Sequence, residues 1–485
     1  MLSQELIRRQ KLEKIKTEGK EAYPARTRRN LSCFEAKEKF QKLAKVKKNV
    51  ILAGRLVLVR RHGGATFAHL DDGSAKFQIL FRKDVVGEKE YRFFIDLIDI
   101  GDFIEAEGKL FTTKTGEPTL EVKNFRLLAK SLLPLPEKWH GLVDIETRFR
   151  QRYLDLIANP QVKEIFKKRS LLIKSIREFF DKRGFLEVET PILQPIPGGA
   201  NARPFVTHHN ALDIDLYLRI APELYLKRLI IGGFEKVYEI ARCFRNEGID
   251  WAHNPEFTQI EFYQAYADYN DLMKLTEDLM KFLVQKICGK LKINYQDKEI
   301  DFTPPYPKIT YREALIRFTG IDLEEFKTRE MLLTKAKNIG LEVEKTWSRG
   351  KIIDEIFKEL VRPKLINPTF IIDEPIELSP LAKKKPDNPN YVERFHFLVV
   401  GMEICNAYSE LNDPLDQEER LREQERARAV GEEEAQWFDE DFVEALKYGM
   451  PPTAGEGIGI DRLAAILANV HNVKEVILFP TMRPK

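Results

Sequence analysis

RCFRNEGIDWAHNPEFTQIEFYQAY, which spans Arg242 to Tyr266, is the stretch that decides the fold. It completes the strand-like run KVYEIARCFRNE, passes through GIDWAHNP as a loop, and predicts a returning strand in EFTQIEFYQAY. Alternate side chains of a strand point to the same side of a sheet. One face of this strand pair should therefore carry Arg245, Glu247, Phe257, Gln259, Glu261 and Tyr263. Such a face suits a ligand with a ring, a phosphate and an amine, although a solvated ribbon with salt bridges is the alternative.

A second segment, RFHFLVVGMEICNAYSELND, predicts two strands that turn at Gly401. Asn406, Tyr408 and Glu410 then fall on one face, where a ring can cover an alkyl chain and a carboxylate can pair with an ammonium group. Glu403 has the opposite parity, so only a bulge or the turn would bring it to the same face. An exposed edge strand is the alternative, and the apolar run FLVV weakens it.

A third segment, GEGIGIDRLAAILANV, places glycines at every second position of a predicted strand and then begins a helix. Gly455, Gly457 and Gly459 leave one face free for close backbone approach. Arg462 beside this face could pair with a phosphate or stack on a base. A tight packing turn would explain the glycines but not the arginine.

The rest of the chain predicts a small β-barrel joined to a larger α+β domain. Five strand-like runs between Val50 and Leu128 predict the barrel. Asn159-Pro160 predicts the start of a helix that Gly184 ends. We divide the chain into a basic helical segment (1–48), the barrel (49–130), a linker (131–158) and the α+β domain (159–485), with a helical insertion at 311–362.

Composition narrows the class of protein. The 485 residues are 43% hydrophobic and carry a net charge of +3, yet residues 1–48 hold 15 Lys and Arg against 6 Asp and Glu. This basic front end could attract a polyanion, or it could be a solvated helix face. No apolar run is long enough to span a membrane or to act as a secretory signal, so we expect a cytoplasmic protein. Four widely spaced cysteines favour reduced thiols over disulfides or a zinc site.

These motifs together resemble the class II aminoacyl-tRNA synthetases. RGFLEVETPIL (183–193) is similar to motif 1 of that class, FRNEG with HNPEFTQIEFY to motif 2, and GIGIDRL to motif 3. The versions found here, with IPGGANARPF, APELYLKRL, EICNAYSELND and LLPLPEKWHGLVDIETRFRQRYLDLI, resemble the lysyl-tRNA synthetases of the bacterial type in subclass IIb. The resemblance runs from near residue 5 to the C-terminus. It implies an OB-fold anticodon-binding barrel, followed by an α+β catalytic domain built on an antiparallel sheet.

The resemblance also implies roles for individual residues, with Arg245 and Arg462 as the catalytic pair. The ATP site would consist of Arg245, Glu247, His253, Asn254, Phe257, Glu403 and Arg462. The lysine site would consist of Gly199, Glu223, Arg245, Glu261, Tyr263, Asn406, Tyr408 and Glu410, with Glu410 facing the ε-ammonium. The anticodon would contact Phe67, Gln78 and Glu117, although Phe67 alone could equally be a barrel core residue. Magnesium would be held at Glu403.

Two positions depart from the family pattern. His396 stands where these enzymes carry an acidic magnesium ligand, and imidazole is a poor substitute because Mg²⁺ prefers oxygen. The metal would then rest on Glu403 and the ATP phosphates, or a nearby carboxylate such as Glu410 would contribute. Ala252 stands where the family usually carries arginine, which predicts one missing phosphate contact and a raised KM for ATP.

The implied reaction joins L-lysine to tRNA(Lys) with ATP as second substrate and Mg²⁺ as cofactor, in a homodimer that motif 1 builds. The main alternative is an aspartyl- or asparaginyl-tRNA synthetase, which would need a cation in place of Glu410. A paralogue that lysylates a protein would lack the barrel. The third alternative, from another class, is a non-catalytic RNA-binding protein on a synthetase scaffold.

Overall fold

The computed structural model describes residues 3–136, 142–344, 347–429, 431 and 434–484. Residues 137–141 of the predicted linker lie outside this described part. The chain forms two compact units, residues 1–143 with 153–158, and residues 144–152 with 159–485. None of the helices in the described ranges has the length and apolar character that crossing a membrane requires.

The first unit begins with three helices, where the sequence predicts one or two. They are α1 (Gln4–Thr17), α2 (Cys33–Glu38) and α3 (Phe40–Lys45). The hydroxyl of Ser3 caps α1 by accepting from the backbone of Leu6, and Ser32 caps α2 in the same way through Glu35. The buried guanidinium of Arg8 donates to the backbone carbonyls of Ile100, Ser131 and Leu133. These bonds hold α1 against the remainder of its unit.

The predicted five-stranded barrel is present in the first unit. Its strands are β1 (Asn49–His62), β2 (Ala65–Asp71), β3 (Lys76–Arg82), β4 (Phe103–Thr112) and β5 (Pro118–Ala129). They close in the order β1-β2-β3-β5-β4 around a core of alternating apolar side chains. Two helices that the sequence reading left unassigned, α4 (Lys83–Val86) and α5 (Glu88–Leu97), connect β3 to β4.

The second unit is built on one large sheet. Its strands are β6 (Leu186–Glu187), β10 (Lys236–Phe244), β11 (Glu256–Ala265), β14 (Lys308–Thr310), β15 (Thr369–Pro375), β16 (Tyr391–Val399), β17 (Met402–Ser409) and β18 (Thr453–Gly459). The order is β14-β15-β16-β17-β18-β11-β10-β6, and every neighbouring pair is antiparallel except β14 with β15 and β6 with β10. Strands far apart in sequence therefore become neighbours at the centre of the sheet.

Two helices, Glu223–Ile231 and Glu440–Lys447, pack against part of one face of this sheet, beside Val237, Tyr263 and Ala265. The opposite face is covered by α8 (Val162–Asp181), α10 (Tyr269–Cys288) and α16 (Ile460–Ala468). Their apolar stripes bury strand residues such as Phe262, Ala407 and Ile458, whose alternate neighbours point the other way. The predicted helix start at Asn159 is two residues early, because α8 begins at Val162 with Gln161 as its N-cap. Gly184, with φ at +77°, follows its end as predicted.

The remaining elements surround the sheet. In the second unit the helices are α6 (Ile145–Arg150), α9 (Glu223–Ile231), α14 (Pro414–Ala429) and α15 (Glu440–Lys447), and the small strands are β7 (Leu193–Gln194), β8 (Phe205–His209), β9 (Ile214–Leu218), β12 (Lys292–Tyr295) and β13 (Lys298–Asp301). Helix α7 (Arg152–Ala158) belongs, from Tyr153 onward, to the first unit. Between the parallel pair β14 and β15 the chain forms α11 (Tyr311–Thr319), α12 (Arg329–Asn338), α13 (Arg349–Ile356) and short turns of π-helix and 3₁₀-helix at Phe357–Val361 and Arg362–Lys364. These helices bury their own apolar cluster.

Candidate active site

A cavity of about 290 Å³ opens on the face of the large sheet opposite α8, α10 and α16, over β11, β16, β17 and β18. Thirteen of the fourteen residues predicted to bind ATP or lysine line it: Gly199, Glu223, Arg245, Glu247, His253, Asn254, Phe257, Glu261, Tyr263, Glu403, Asn406, Tyr408 and Arg462. Glu410 and His396 are not part of the lining. The strand parity read from the sequence therefore brings three distant segments to one site.

One end of the cavity is cationic and aromatic. Strand β10 ends at Phe244, so Arg245 and Glu247 lie in the loop beyond it rather than on the strand. The backbone N–H of Arg245 donates to the carbonyl of Pro255 across the mouth of this loop, at 2.9 Å. Its guanidinium lies 5.0 Å from the centroid of the Phe257 ring, and the buried Nε has no hydrogen-bond partner among the residues that the structure describes. A cation with a free donor over an aromatic floor suits a planar, anionic ligand.

Asp250 organises the loop that carries His253. Its carboxylate accepts from the backbone N–H groups of Ala252 and His253 and lies 2.8 Å from His253 Nδ1. Burial alone would raise the pKa of Asp250, but these hydrogen bonds hold it below its ordinary value. With its proton on Nδ1, His253 uses Nε2 to accept from Arg462 Nη2 at 2.8 Å. Asp250 thus fixes both the tautomer of His253 and one side of Arg462.

Arg462 lies in the first turn of α16, where the glycine strand ends. Its Nη1 donates to the carbonyl of Glu403 at 2.9 Å, so it bridges the loop and β17. Burial lowers the pKa of this guanidinium from its usual value, and the nearby Glu403 carboxylate opposes the change. The charge is held in place by neighbours before any ligand arrives, which is the kind of preorganisation that catalysis of phosphoryl chemistry uses.

The glycines of β18 separate the two ends of the cavity. Gly455 pairs with both Tyr263 and Tyr408, and Gly457 pairs with both Glu261 and Asn406. A Cβ added at Gly455 would lie 2.2 Å from the ring of Tyr263 and 2.5 Å from Glu410 Oε1. At Gly457 the nearest atom would be the Glu261 Cγ at 3.6 Å. The predicted clear face is therefore present, and at Gly455 the space is already occupied by pocket side chains.

The other end of the cavity is acidic. Glu223, the first residue of α9, accepts a hydrogen bond of 2.5 Å from the Tyr408 hydroxyl. Glu261 accepts from Gln259 Nε2 at 2.6 Å and from the Tyr263 hydroxyl at 3.2 Å. Burial raises the pKa of Glu261 well above its ordinary value, and the charge of Glu223 adds to the effect. Two buried carboxylates at one end of a cavity favour a cationic ligand group.

Gly199 lies directly behind Glu223. Its φ is +87°, and a Cβ there would come within 2.7 Å of the Glu223 Cβ. Any other residue would meet both backbone strain and a clash at this position. The glycine therefore sets the depth at which Glu223 lies.

Glu410 lies one residue beyond β17, and its side chain is buried. Its Oε2 is 2.5 Å from Nζ of Lys227, which also donates to Glu223 Oε1 at 2.5 Å. Sequence reasoning missed Lys227, although a lysine four residues after Glu223 on a helix is placed to pair with it. Arg394 was also missed; it lines the cavity, and its Nε donates to Asn406 Oδ1 at 2.9 Å.

Glu403 reaches the cavity because of a bulge. The register of β16 and β17 shifts between Phe397, opposite Cys405, and Leu398, opposite Glu403. Such a bulge was one of the two ways in which Glu403 could reach the face that carries Asn406 and Tyr408. The carboxylate Oε2 then meets Arg362 Nη2 at 2.8 Å and His396 Nδ1 at 3.2 Å. These cations hold the pKa of Glu403 well below its usual range in spite of its burial.

The corner around Glu403 has few oxygen ligands for a metal ion. Within the described ranges no group of three or more His, Cys, Asp or Glu side chains is placed to hold one. The carboxylate beside His396 is Glu374, 2.8 Å from Nε2, whereas Glu410 lies at the opposite end of β17 and pairs with Lys227. The suggestion that Glu410 assists at this corner is therefore wrong. One carboxylate plus phosphate oxygens remains a workable set for Mg²⁺, which keeps several waters.

In the first unit, the three residues singled out share the outer surface of the barrel. Thr66, Ala68 and Leu70 are buried inside, whereas Phe67 and His69 alternate with them and point outward. Gln78 is opposite His69 and donates to the Thr119 hydroxyl at 2.8 Å, and Glu117 precedes Thr119 by two residues. Phe67 is thus not a barrel core residue. An aromatic ring beside amide and carboxylate groups is typical of surfaces that take unpaired bases.

Comparison with known proteins agrees with this architecture. Residues 144–483 match the family model described as tRNA synthetases class II (D, K and N), and residues 50–128 match that of the OB-fold nucleic acid binding domain. Fold and cavity together define a class II tRNA synthetase with an N-terminal OB-fold.

The relatives narrow this class. A lysine–tRNA ligase of Thermoanaerobacter pseudethanolicus is 53% identical over 481 residues, covering 99% of this chain and 96% of the relative. One from Carboxydothermus hydrogenoformans is 52% identical over 99% of this chain and 98% of the relative, and one from Aquifex aeolicus is 56% identical over 90% and 73%. The chain belongs to the lysine–tRNA ligase family.

Proposed function

We propose that this protein activates L-lysine with ATP and transfers the lysyl group to the 3′ end of tRNA(Lys) during translation. The observation that carries the proposal is the polarity of one cavity. Arg245 and Arg462 lie at one end and the carboxylates of Glu223 and Glu261 lie at the other, with Glu410 directly behind. A phosphate-bearing nucleotide and a diamine acid fit these two ends. An acidic amino acid would meet like charges where lysine meets opposite ones.

The nucleotide occupies the cationic end in this proposal. Phe257 supports the adenine from below and Arg462 covers it from above. Arg245 contacts the α-phosphate and the substrate carboxylate. Glu247, His253 and Asn254 contact the remaining nucleotide groups. Three features support these roles: the unpartnered Nε of Arg245, the unpartnered Oδ1 of Asn254 and the Arg245–Phe257 stack.

Lysine occupies the acidic end. Gly199 and Glu223 receive the α-amino group, and Tyr263, Asn406 and Tyr408 enclose the alkyl chain. Glu261 and Glu410 supply the negative charge for the ε-ammonium. The site should reject neutral analogues because they would leave buried carboxylates without a cation. The loss of binding free energy is then larger than for one missing methylene contact.

The chemistry proceeds in two transfers. The lysine carboxylate oxygen bonds to the α-phosphorus of ATP while the bond to the bridging oxygen breaks, so pyrophosphate leaves and lysyl-adenylate remains. A ribose hydroxyl at the tRNA 3′ end then attacks the lysyl carbonyl and gives up its proton, which is released, while the bond to the phosphate oxygen breaks and AMP leaves with that electron pair. The first attacking group is already ionised, so the protein needs to align it and to neutralise phosphate charge with Arg245 and Arg462. Mg²⁺, held by Glu403 and the phosphates, would supply further neutralisation.

The barrel, residues 49–130, takes the anticodon in this proposal. Phe67 stacks on a base, and Gln78 and Glu117 hydrogen-bond to it. Residues 1–48 add positive charge to the same unit, residues 131–158 connect it, and residues 159–485 carry catalysis, with 311–362 as an insertion. Outward-facing Phe67 beside a surface amide supports this division of labour.

We also propose a cytoplasmic homodimer. Motif 1, residues 183–193, carries three exposed large apolar side chains, Leu186, Ile192 and Leu193, and Val206 and Ile214 on β8 and β9 are exposed as well. Apolar side chains gathered in neighbouring segments are typical of surfaces that a partner covers. Motif 1 is the dimerisation segment that the family resemblance implies.

ATP–pyrophosphate exchange tests the main proposal. We expect exchange that depends on lysine and not on aspartate or asparagine, followed by charging of tRNA(Lys) transcripts. Exchange with aspartate or asparagine would support the neighbouring specificities in the same class. Exchange with lysine but no charging of tRNA would point to a paralogue with another acceptor, and no exchange at all would indicate a non-catalytic RNA-binding protein.

Glu410→Gln tests the assignment of the lysine pocket. Removing one buried charge should raise the KM for lysine by about 10-fold to 100-fold, as expected for a lost charge-assisted contact. The KM for ATP and the melting temperature should change little. Equal losses of lysine binding and thermal stability would demote Glu410 to a structural residue.

A further inference from the structure

Lys227 is a fully buried cation that lies between Glu223 of the cavity wall and Glu410 behind it. Its side chain is 0% exposed, and its Nζ is 2.5 Å from Glu223 Oε1 on α9 and 2.5 Å from Glu410 Oε2 beyond β17. The rings of Tyr408 and Phe442 enclose it at 5.4 Å and 5.8 Å from the ammonium. Burying a lysine is unfavourable unless it is well paired. The pairing here joins two elements that the chain separates by about 180 residues.

The two oxygens of Glu410 have different surroundings. Oε2 is the atom in ion-pair contact with Lys227, although the approach lies off the ideal hydrogen-bond direction. Oε1 is buried without a hydrogen-bond partner in the described part of the chain, and it lies 2.5 Å from where a Cβ of Gly455 would be. Gly455 itself lines the cavity. An unpartnered carboxylate oxygen behind a glycine is available to a ligand that enters from the cavity side.

We infer that Lys227 is a positioning and specificity-determining residue, which favours the carboxylate form of Glu410 and leaves Oε1 free for the cationic end of the substrate. This inference rests on the proposed function and extends it to a residue that no ligand needs to touch. Lys227 occupies one oxygen, so the pocket retains one anionic contact for one ammonium group. It also stops Glu223 and Glu410 from repelling each other across the base of the pocket.

The charges around Lys227 explain why its loss should be felt at Glu410. Burial raises the pKa of Glu410 to about 8, the charge of Glu223 adds to that effect, and the ammonium of Lys227 opposes it. Tyr263 and Tyr408 also face this cluster, and burial keeps both phenols neutral by raising the pKa of each well above its usual value. Without Lys227, the pKa of Glu410 should therefore rise further, and the fraction of Glu410 that is a carboxylate at neutral pH should fall. A neutral acid binds an ammonium group far less tightly than a carboxylate does.

Lys227→Met, Lys227→Gln and Lys227→Arg form the test, with the KM for lysine measured by exchange at saturating ATP from pH 6.5 to pH 9. We expect Met and Gln to raise this KM at pH 7 by about 10-fold or more, the size of one lost charge-assisted contact. The pH at which this KM falls should also be higher in both variants than in the wild type, because Glu410 then ionises at a higher pH. Arginine keeps the positive charge, so it should restore the KM to within about threefold. The KM for ATP should stay within about twofold throughout.

Discrimination provides a second readout. Norleucine has the same chain length as lysine without the ammonium, so the ratio of kcat/KM for lysine over norleucine should fall in Lys227→Met. Lys281→Met, which removes an exposed lysine of α10, is the matched control and should leave the ratio unchanged.

Clear outcomes would overturn the inference. If Met and Gln leave the lysine KM and its pH profile unchanged, Lys227 does not act through Glu410. If all three variants raise the KM values for lysine and ATP together, with lower melting temperatures, the role is structural. Where Lys227→Met folds poorly, the comparison of Gln with Arg still decides between charge and packing. Absence of lysine-dependent exchange in the wild-type protein would instead refute the proposed function itself.

Discussion

Glu456 is a buried acid on the face of β18 opposite the glycines. Its Oε2 accepts from the Thr276 hydroxyl on α10 at 2.8 Å, and the Cys405 thiol also hydrogen-bonds to its carboxylate. Burial raises the pKa of Glu456 to about 8, and hydrogen bonds from Thr276 and Cys405 only partly oppose this. The folded protein therefore keeps a proton on Glu456 at pH values where an unfolded glutamate has lost it.

This proton makes stability depend on pH with a definite sign. Between the unfolded pKa of about 4.3 and the folded pKa, the folded state binds more protons, so stability is complete below that window and declines as pH rises through it. Glu456→Gln removes the titration. We expect its melting temperature at pH 8.5 to exceed that of the wild type by roughly 3 °C or more, with a much smaller difference at pH 5. Glu299→Gln, at an exposed position, is the control, and parallel pH profiles of Glu456→Gln and wild type would contradict the prediction.

At this same scale, the sequence predicted side chains whose placement depends only on strand parity. Phe257, Glu261 and Tyr263 face the cavity because a period of two fixes them once the strand is recognised. Lys227 was not predicted as a site residue because its second partner, Glu410, is distant in the chain. Strand parity could not predict whether Glu403 faces the cavity, because the bulge that brings it there depends on how β16 and β17 pair.

The glycines of strand β18 leave one face of the strand without side chains, and pocket side chains fill the space that this provides. Gly455→Ala would place a Cβ 2.2 Å from the Tyr263 ring, with backbone on both sides that cannot move away. We expect a loss of about 1–3 kcal/mol of stability, as overpacking typically produces, together with weaker lysine binding. Gly457→Ala is the matched control on the same strand and face, because its nearest contact of 3.6 Å is ordinary. The measurement is the melting temperature of each variant, and equal melting temperatures for Gly455→Ala and Gly457→Ala would refute the steric argument.

The loop between β10 and β11 carries the departure at Ala252. Its carbonyl lies 3.4 Å from Arg462 Nε, and the residue lines the cavity at the cationic end. An arginine there would add a charge-assisted donor for a phosphate, so Ala252→Arg should lower the KM for ATP by about 5-fold to 10-fold. Lysine KM should not change. Ala252→Met, which adds length without charge, is the control, and an unchanged ATP affinity in Ala252→Arg would show that no contact is missing.

Whole elements were predicted where a single period dominates and missed where it does not. The glycine strand and α16 follow directly from the run Gly455 to Val470. Helices α4 and α5 were missed because they are short and occupy a barrel connection that the strand pattern led us to treat as loop. The start of α8 was misplaced because Asn159-Pro160 satisfies the usual signal for a helix start, yet the regular helix begins after Gln161.

For the whole molecule, the order of the motifs predicted two domains, but the sheet order had to come from the structure. β18 inserts between β11 and β17, which brings the last strand of the chain between two earlier ones. Short-range patterns cannot specify such a pairing, because it depends on which long connections can close. The parallel pair β14 and β15, joined across the helical insertion, is a second case.

In the proposed function, the exchange reaction and the charging reaction make different demands on the two compact units. Exchange would need only lysine and ATP at the cavity of the second unit, whereas charging would also need tRNA bound at the barrel. Phe67→Ala should therefore raise the KM for tRNA(Lys) in charging by about 10-fold, within the range for one lost base–aromatic stack, and leave exchange unchanged.

Phe34→Ala provides the comparison within the same unit, because Phe34 is an exposed phenylalanine on α2 rather than on the strand that carries Phe67. It should leave both reactions near their wild-type rates. Loss of charging in both variants would indicate a general weakening of the first unit, and unchanged charging in Phe67→Ala would exclude stacking on this ring. Because Phe67 lies on the outside of a closed barrel whose core is formed by its neighbours Ala68 and Leu70, its removal should cost recognition before it costs folding.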